Sequence, residues 1–292
     1  ADDVLEARAM RATGGSTPEP REWAPSPAWP AGRGVFLLRP LLSQRRAAIR
    51  AWLAAAGETW IDDPANEDLR YARPRARQAL AAGEGETTEA GVEAADASGL
   101  ASRCAPDVGG GFTIMRAELA DAVPAAARRF LAAACLCAGG GDRPPRGDSL
   151  ERLAALARGA DVFTASLTGA RVEGHGTSLR IFREAGEAGR GGLAPRELEA
   201  GAAIVWDGRF EIRAQAPGLT VQALKGLARR LPQDQQRRLA DLPAGGRGAL
   251  PLILRAGEAV GCPALAEVDG VSLTPLGHAR LLAACGGVAS EA

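Results

Sequence analysis

Between Gly83 and Gly99 the chain turns acidic and small, with few large apolar side chains. Such a stretch cannot bury enough surface to offset its ordering entropy, so it reads as a linker. The apolar patterns before and after it must then build separate cores. A length of 292 residues suits about two domains. The partition expected is 1–82 as one domain, 83–108 as linker, 109–186 as a second domain and 187–292 as a C-terminal region. The 37 Gly and 19 Pro interrupt the chain too often for a coiled coil, and they follow no collagen period. The longest uncharged apolar run, Phe130 to Gly141, is too short to span a bilayer. No secretory leader pattern opens the chain. Ala1 stands where an initiator Met would, and the text begins inside a helix-like segment, so a fragment or a processed or mis-started chain is expected.

Charge narrows the function classes. Acidic and basic residues balance at 35 each, unlike a strongly basic nucleic-acid domain. Lys225 is the lone lysine, and arginine supplies the other basic residues. Arginine is the better bidentate phosphate ligand, although a GC-rich genome gives the same bias more simply. Cys104, Cys135, Cys137, Cys262 and Cys285 form no paired pattern, and His175 and His278 are the only histidines. Neither a secreted disulfide framework nor a zinc site can be written, and buried thiols in a reducing cytoplasm fit better.

Periodicity places the elements. Asp2 to Arg11 reads as a helix ended at Thr13-Gly14-Gly15-Ser16, followed by a long Pro/Trp/Gly loop to Gly34. In that loop Trp23 and Trp29 suit packing against a domain better than base stacking. Val35 to Leu38 reads as a strand, and Ser43 as the cap of a helix to Ala56 with an Ile49/Trp52/Leu53 stripe. Thr59 to Ile61 reads as a short strand, Asp62 to Asn66 as a turn, and Pro74 as the opening of a helix to Ala82. Beyond the linker come a strand at 112–114, an Ala-rich helix from Pro124, a capping-box helix from Asp148 and a series of short strands. A helix is expected from Gln222 to Arg230 and another over 234–242. Each acidic or basic cluster has a bland reading by itself: Asp2, Asp3 and Glu6 complement a helix dipole, and Arg70, Arg73, Arg75 and Arg77 make a solvated face.

Four stretches in order are more specific than any one of them. These are Ala1-Asp2-Asp3-Val4-Leu5-Glu6 with Met10-Arg11, Leu38-Arg39-Pro40-Leu41-Leu42, Trp60-Ile61-Asp62-Asp63-Pro64-Ala65-Asn66-Glu67-Asp68, and Tyr71-Ala72-Arg73-Pro74-Arg75-Ala76-Arg77. Together they resemble the tRNA(Ile)-lysidine synthase family. Val4 and Ala7 replace the family's Gln and Thr, Pro74 replaces an Asn, and the Ser-Gly-Gly-x-Asp-Ser phosphate loop does not occur in the chain.

The resemblance implies a fold: α/β, the C-terminal remnant of a doubly wound parallel-sheet nucleotide-binding domain, followed by an α+β C-terminal region. It implies a ligase reaction, in which ATP adenylates the wobble cytidine of tRNA(Ile) at C2 and free L-lysine displaces AMP. It also implies ATP and Mg2+ as cofactors, tRNA(Ile) and L-lysine as partners, no membrane, and a cytoplasmic location. Asp2, Asp3, Glu6 and Asp63 become the expected catalytic carboxylates. Arg11, Arg39, Asn66, Arg70, Arg73 and Arg77 become the expected substrate and tRNA contacts. A catalytically silent tRNA-binding fragment and a related tRNA thiolase remain alternatives. No Cys precedes Cys104, which counts against the thiolase.

Overall fold

In the computed structural model, residues 2–13, 20, 23–25, 28–83, 97–145, 147–186 and 193–287 are described. The Gly14–Ser16 helix stop, Arg146 and the Arg11 side chain lie outside them. The chain divides into two units, one of residues 1–24 with 36–95, the other of residues 25–35 with 96–292.

The first unit begins with helix α1 (Asp2–Ala12), whose first turn carries Asp2 and Asp3 against the positive helix end. Short strands β1 (Trp23–Pro25) and β2 (Phe36–Leu38) pair with each other. Helix α2 (Arg46–Ala55) follows a tight turn in which Leu42 N–H donates to the Arg39 carbonyl at 3.1 Å. It starts later than Ser43 suggests, and its first N–H is satisfied from another helix: Arg46 N–H donates to the Asp2 carboxylate at 2.6 Å. The Thr59–Ile61 strand does not form, because no neighbour supplies a ladder for it. A 3-10 turn at Pro64–Asn66 leads to helix α3 (Ala72–Ala81), which packs on α1 and buries Pro74 and Ala76. Pro74 sits in the first turn, where its missing N–H costs no helical bond. The apolar stripe of α2 is uncovered: none of its residues is buried, and Trp52 is 68% exposed.

The second unit has two layers. The first carries α4 (Ser98–Ser102), β3 (Ala105–Pro106), β4 (Phe112–Met115), α5 (Arg116–Asp121), α6 (Pro124–Gly139), α7 (Gly147–Arg158), β5 (Phe163–Leu167), β6 (Ala170–His175) and β7 (Ser178–Arg183). Its five strands form an antiparallel sheet in the order β3-β4-β7-β6-β5. Alanines and cysteines of α6 pack on that sheet with Phe112, Phe130 and Ile181, and their small side chains let the helix lie close. Residues 97–106, inside the stretch expected as linker, therefore belong to this layer as α4 and β3.

The second layer holds β8 (Arg196–Leu198), β9 (Ala203–Trp206), β10 (Phe210–Ala214), β11 (Leu219–Ala223), α8 (Gln233–Ala240), α9 (Ala244–Arg247), β12 (Pro251–Arg255), β13 (Glu258–Gly261), β14 (Val271–Pro275) and α10 (Gly277–Cys285). Its strands form a three-stranded sheet β14-β10-β9 and a four-stranded sheet β13-β12-β11-β8. Trp206, Phe210, Ile212, Val221 and Ile253 fill the core between them. α10 packs back on α6, so the chain closes across both layers. The helix expected at 222–230 is replaced by the end of β11, a bend and a 3-10 turn at Ala228–Arg230. Leu219 and Val221 alternate with Thr220 and Gln222, and β12 supplies the ladder that this alternation needs. The fold is thus mixed α/β, and the strand pairings β3-β4-β7-β6-β5, β14-β10-β9 and β13-β12-β11-β8 are antiparallel. No helix among the described residues is long and apolar enough to cross a membrane.

A buried ion network ties the two layers. Asp207, in the β9–β10 turn, accepts from Arg183 Nε at 3.1 Å and from Arg209 Nε at 2.7 Å, and all three side chains are at most 3% exposed. The outer nitrogens of Arg209 donate to the carbonyls of Gly109 and Ala249. Burial lowers the Arg209 pKa, and the Asp207 charge opposes that. Gly140, at φ 70°, ends α6 directly against this turn: a Cβ there would meet the Asp207 carbonyl at 1.9 Å.

Candidate active site

The first unit carries an open cavity of about 490 Å³. Arg46 and Arg50, one helical turn apart on α2, form one wall, and Asp62, Asp63, Asn66 and Glu67 of the Asp-Pro turn form another. Arg77 and Gln78 of α3 complete it. Three cations therefore face three carboxylates around a space large enough for a small zwitterion or a nucleobase.

Local chemistry fixes these positions. Asp63 caps the 3-10 turn by accepting Ala65 N–H at 2.9 Å, and Pro64 suits the turn's first position. Arg50 pairs with Asp62, and its guanidinium lies 5.4 Å from the Trp60 ring centroid. Trp60 thus restrains Arg50 from behind while leaving it at the cavity wall.

The acidic helix meets the arginines directly. Glu6 is 2% exposed and faces three of them: Arg77 Nε at 2.8 Å, Arg73 Nε at 3.4 Å and Arg46 at 3.7 Å. Arg77 also donates to the Asn66 carbonyl at 3.3 Å. One guanidinium therefore joins α1 to the Asp-Pro turn at the edge of the cavity. The Glu6 hydrogen bond raises the Arg77 pKa most, burial opposes it, and the charges of Glu6, Asp3 and Asp2 add smaller raising effects.

The expected site residues divide by place. Asp63, Asn66 and Arg77 line the cavity. Asp2, Asp3 and Glu6 are not in its lining; Asp2 caps α2 and also faces Arg45 at 3.3 Å, and Glu6 reaches the cavity only through Arg77 and Arg46. Asp3 is half-buried beside them on α1. Arg73 backs Glu6, and Arg39 is half-buried in the turn before α2. Arg70 is exposed and paired with Asp68 at 2.6 Å, which raises the Arg70 pKa and lowers that of Asp68. Sequence reasoning missed Arg50 and Asp62 as cavity walls. The four-residue spacing of Arg46 and Arg50 was the available signal.

A family model described as a PP-loop domain matches residues 1–83, the stretch that holds the cavity. Over 282 residues, 96% of the chain, the sequence is 47% identical to a tRNA(Ile)-lysidine synthase of Caulobacter vibrioides. The chain is thus similar to tRNA(Ile)-lysidine synthases along nearly its whole length. Proteins of that name from Hyphomonas neptunium, 33% identical over 74% of the chain, and Rhizobium meliloti, 30% identical over 83%, are similar to it as well. The chain spans 64%, 62% and 51% of the lengths of these three relatives. The PP-loop match agrees with a nucleotide-binding α/β fold for the first unit.

A Mg2+ ion would need several oxygen donors grouped in space. Among the described residues no group of three or more His, Cys, Asp or Glu is placed to hold a metal ion. Asp2 and Glu6 of α1 are committed to α2 and to arginines. The described acids therefore do not fit a metal site of their own.

Proposed function

We propose that this chain carries the lysine- and tRNA-handling part of a tRNA(Ile)-lysidine synthase. The reaction is ATP-dependent: the C2 oxygen of the wobble cytidine attacks the α-phosphate, releasing pyrophosphate. The lysine ε-amine then attacks C2, the C2–O bond breaks and AMP leaves. The observation that supports this reading best is Arg77, which lines the cavity while binding Glu6 of the acidic helix and the Asn66 carbonyl of the Asp-Pro turn.

The cavity suits an amino-acid zwitterion. Arg46 and Arg77 offer donors to a carboxylate, and Asp62, Asp63 and Glu67 offer acceptors to ammonium groups. The attacking amine must lose a proton before it can add, and Asp63 is the proposed acceptor. Glu6 is proposed as the residue that holds Arg46, Arg73 and Arg77 in place, with Asp2 and Asp3 setting the field around it. Arg39, Arg70, Arg73 and Arg11 are the proposed phosphate contacts of the anticodon arm. No residue of this chain is assigned to the triphosphate.

Lys225, Arg229, Arg230 and Arg237 lie exposed along one stretch of the second unit, and we assign this stretch to the RNA backbone away from the anticodon. The five cysteines are free and buried, which fits the proposed cytoplasmic location. The test is release of AMP by the full gene product with ATP. Release that requires both L-lysine and tRNA(Ile) supports ligation. Salt-sensitive tRNA binding with no AMP release would favour the silent RNA-binding alternative.

A further inference from the structure

Arg50 is the cavity cation that the proposed reaction leaves unused. The carboxylate of a zwitterion falls to Arg46 and Arg77, which with Arg73 converge on the single carboxylate of Glu6. Arg50 is matched differently: its Nη2 donates to Oδ1 of Asp62. A guanidinium matched one to one by a carboxylate is a weak anchor for a further anion. Its flat faces remain, and a planar, delocalised cation stacks well on π systems.

Local structure explains how Arg50 comes to be held. α2 ends in a Schellman turn, with Gly57 at φ 75°. Gly57 N–H donates to the Ala54 carbonyl at 3.1 Å, and Glu58 N–H donates to the Leu53 carbonyl at 2.9 Å. The left-handed glycine reverses the chain, so the next segment runs back along α2 and brings both Trp60 and Asp62 to Arg50. The guanidinium lies over the Trp60 ring, 5.4 Å from its centroid. Trp60 therefore backs the guanidinium and Asp62 takes an edge, while Arg50 itself lines the cavity. Trp60 is 41% exposed, so burial in the core of the unit is not what holds it there.

The spacing along α2 suits a lysine beside a base. Arg46 and Arg50 are one helical turn, roughly 6 Å, apart along the helix. A carboxylate held at Arg46 leaves the four-carbon side chain of lysine to span that turn and bring its amine to a base lying on Arg50.

We infer that the Trp60–Arg50 stack is the platform on which the extruded wobble cytosine lies in this cavity, with Asp62 fixing the guanidinium over Trp60. The inference rests on the reaction proposed above and adds the residues that receive the base. Unpaired bases of RNA are held on aromatic rings and on guanidinium planes. Such stacking tolerates any base, so the platform supplies hold on an extruded base and not the choice of cytosine.

Binding of tRNA(Ile) by the full gene product tests this, with a nucleotide whose α–β phosphate bridge cannot be cleaved, so that the complex does not react. Two RNAs are compared: tRNA(Ile), and the same RNA lacking only the wobble base. Arg50→Lys keeps the charge and loses the plane. It should weaken binding of the intact RNA by about tenfold and of the abasic RNA by less than about twofold. Trp60→Ala should repeat this pattern, and Trp60→Phe should recover most of the loss. Equal losses on the two RNAs would make Arg50 a phosphate contact and overturn the inference, as would no loss on either. Lysidine formation by the wild-type protein is measured alongside. Its absence would overturn the proposed reaction and the platform with it, whereas lysidine formed normally, with losses that ignore the wobble base, would overturn the platform alone.

Discussion

A single buried carboxylate holds the candidate site together. Glu6 faces three guanidiniums that are each about a third to a half exposed, so water screens the arginines but not the acid. Removing its charge leaves three cations converging on a neutral group. Glu6→Gln should therefore lower stability by roughly 2–3 kcal/mol in urea denaturation, below the full penalty of a wholly buried pair. Asp2 acts differently, as a cap supplied to α2 from outside, and Asp2→Ala should cost about 1 kcal/mol by the same measurement. The thiols supply a pH dependence. Cys104, Cys135 and Cys262 are pushed by burial from 9.0 up to about 12. Unfolded thiols ionise near 9.0 while these stay protonated, so stability is intact below pH 9 and falls as pH rises from there towards 12. A thiol reagent at pH 8 should accordingly label the native protein slowly and the urea-unfolded protein fast.

At the scale of elements, close backbone approach is what joins the layers of the second unit. A Cβ on Gly140 would meet the Asp207 carbonyl at 1.9 Å, whereas Gly141 next to it has nothing within 4 Å. Gly140→Ala should cost at least about 2 kcal/mol, combining left-handed strain with overpacking, and Gly141→Ala should be near neutral in thermal unfolding. Elements with strong local signals were legible in the sequence. α6 announced itself by Pro124 and an alanine run, and the Asp-Pro turn by its turn formers. What failed was decided from outside the segment. Ser43 is a good cap, but α2 starts after it because Asp2 satisfies Arg46 N–H. Gln222–Arg230 has helix-forming residues, but β12 takes Leu219–Ala223 as a strand. The site was readable as a set of residue types, because acids and arginines recur at motif spacing. Which of them line the cavity was not, since that depends on α1 packing against α3. Trp29 was expected to pack its loop against a domain, and it does, although on the second unit.

For the whole molecule, the proposed reaction places different demands on the two units. In that proposal the first unit would hold lysine beside an activated base, and the second would contact RNA. Asp207→Asn would strand two buried arginines and should cost roughly 3–5 kcal/mol, loosening both layers at once. Arg77→Lys keeps a positive charge but loses the fork that spans Glu6 and Asn66. It should weaken lysine-dependent AMP release at least tenfold with little change in tRNA binding, because one misplaced cavity group costs more in the reaction than in affinity. The most direct measurement is nucleoside mass spectrometry of tRNA(Ile) after incubation with the full gene product, ATP and isotopically labelled lysine. The label is expected on the wobble cytidine, with one AMP released per lysine joined. Lysine-independent ATP cleavage that leaves the wobble cytidine unlabelled would contradict it.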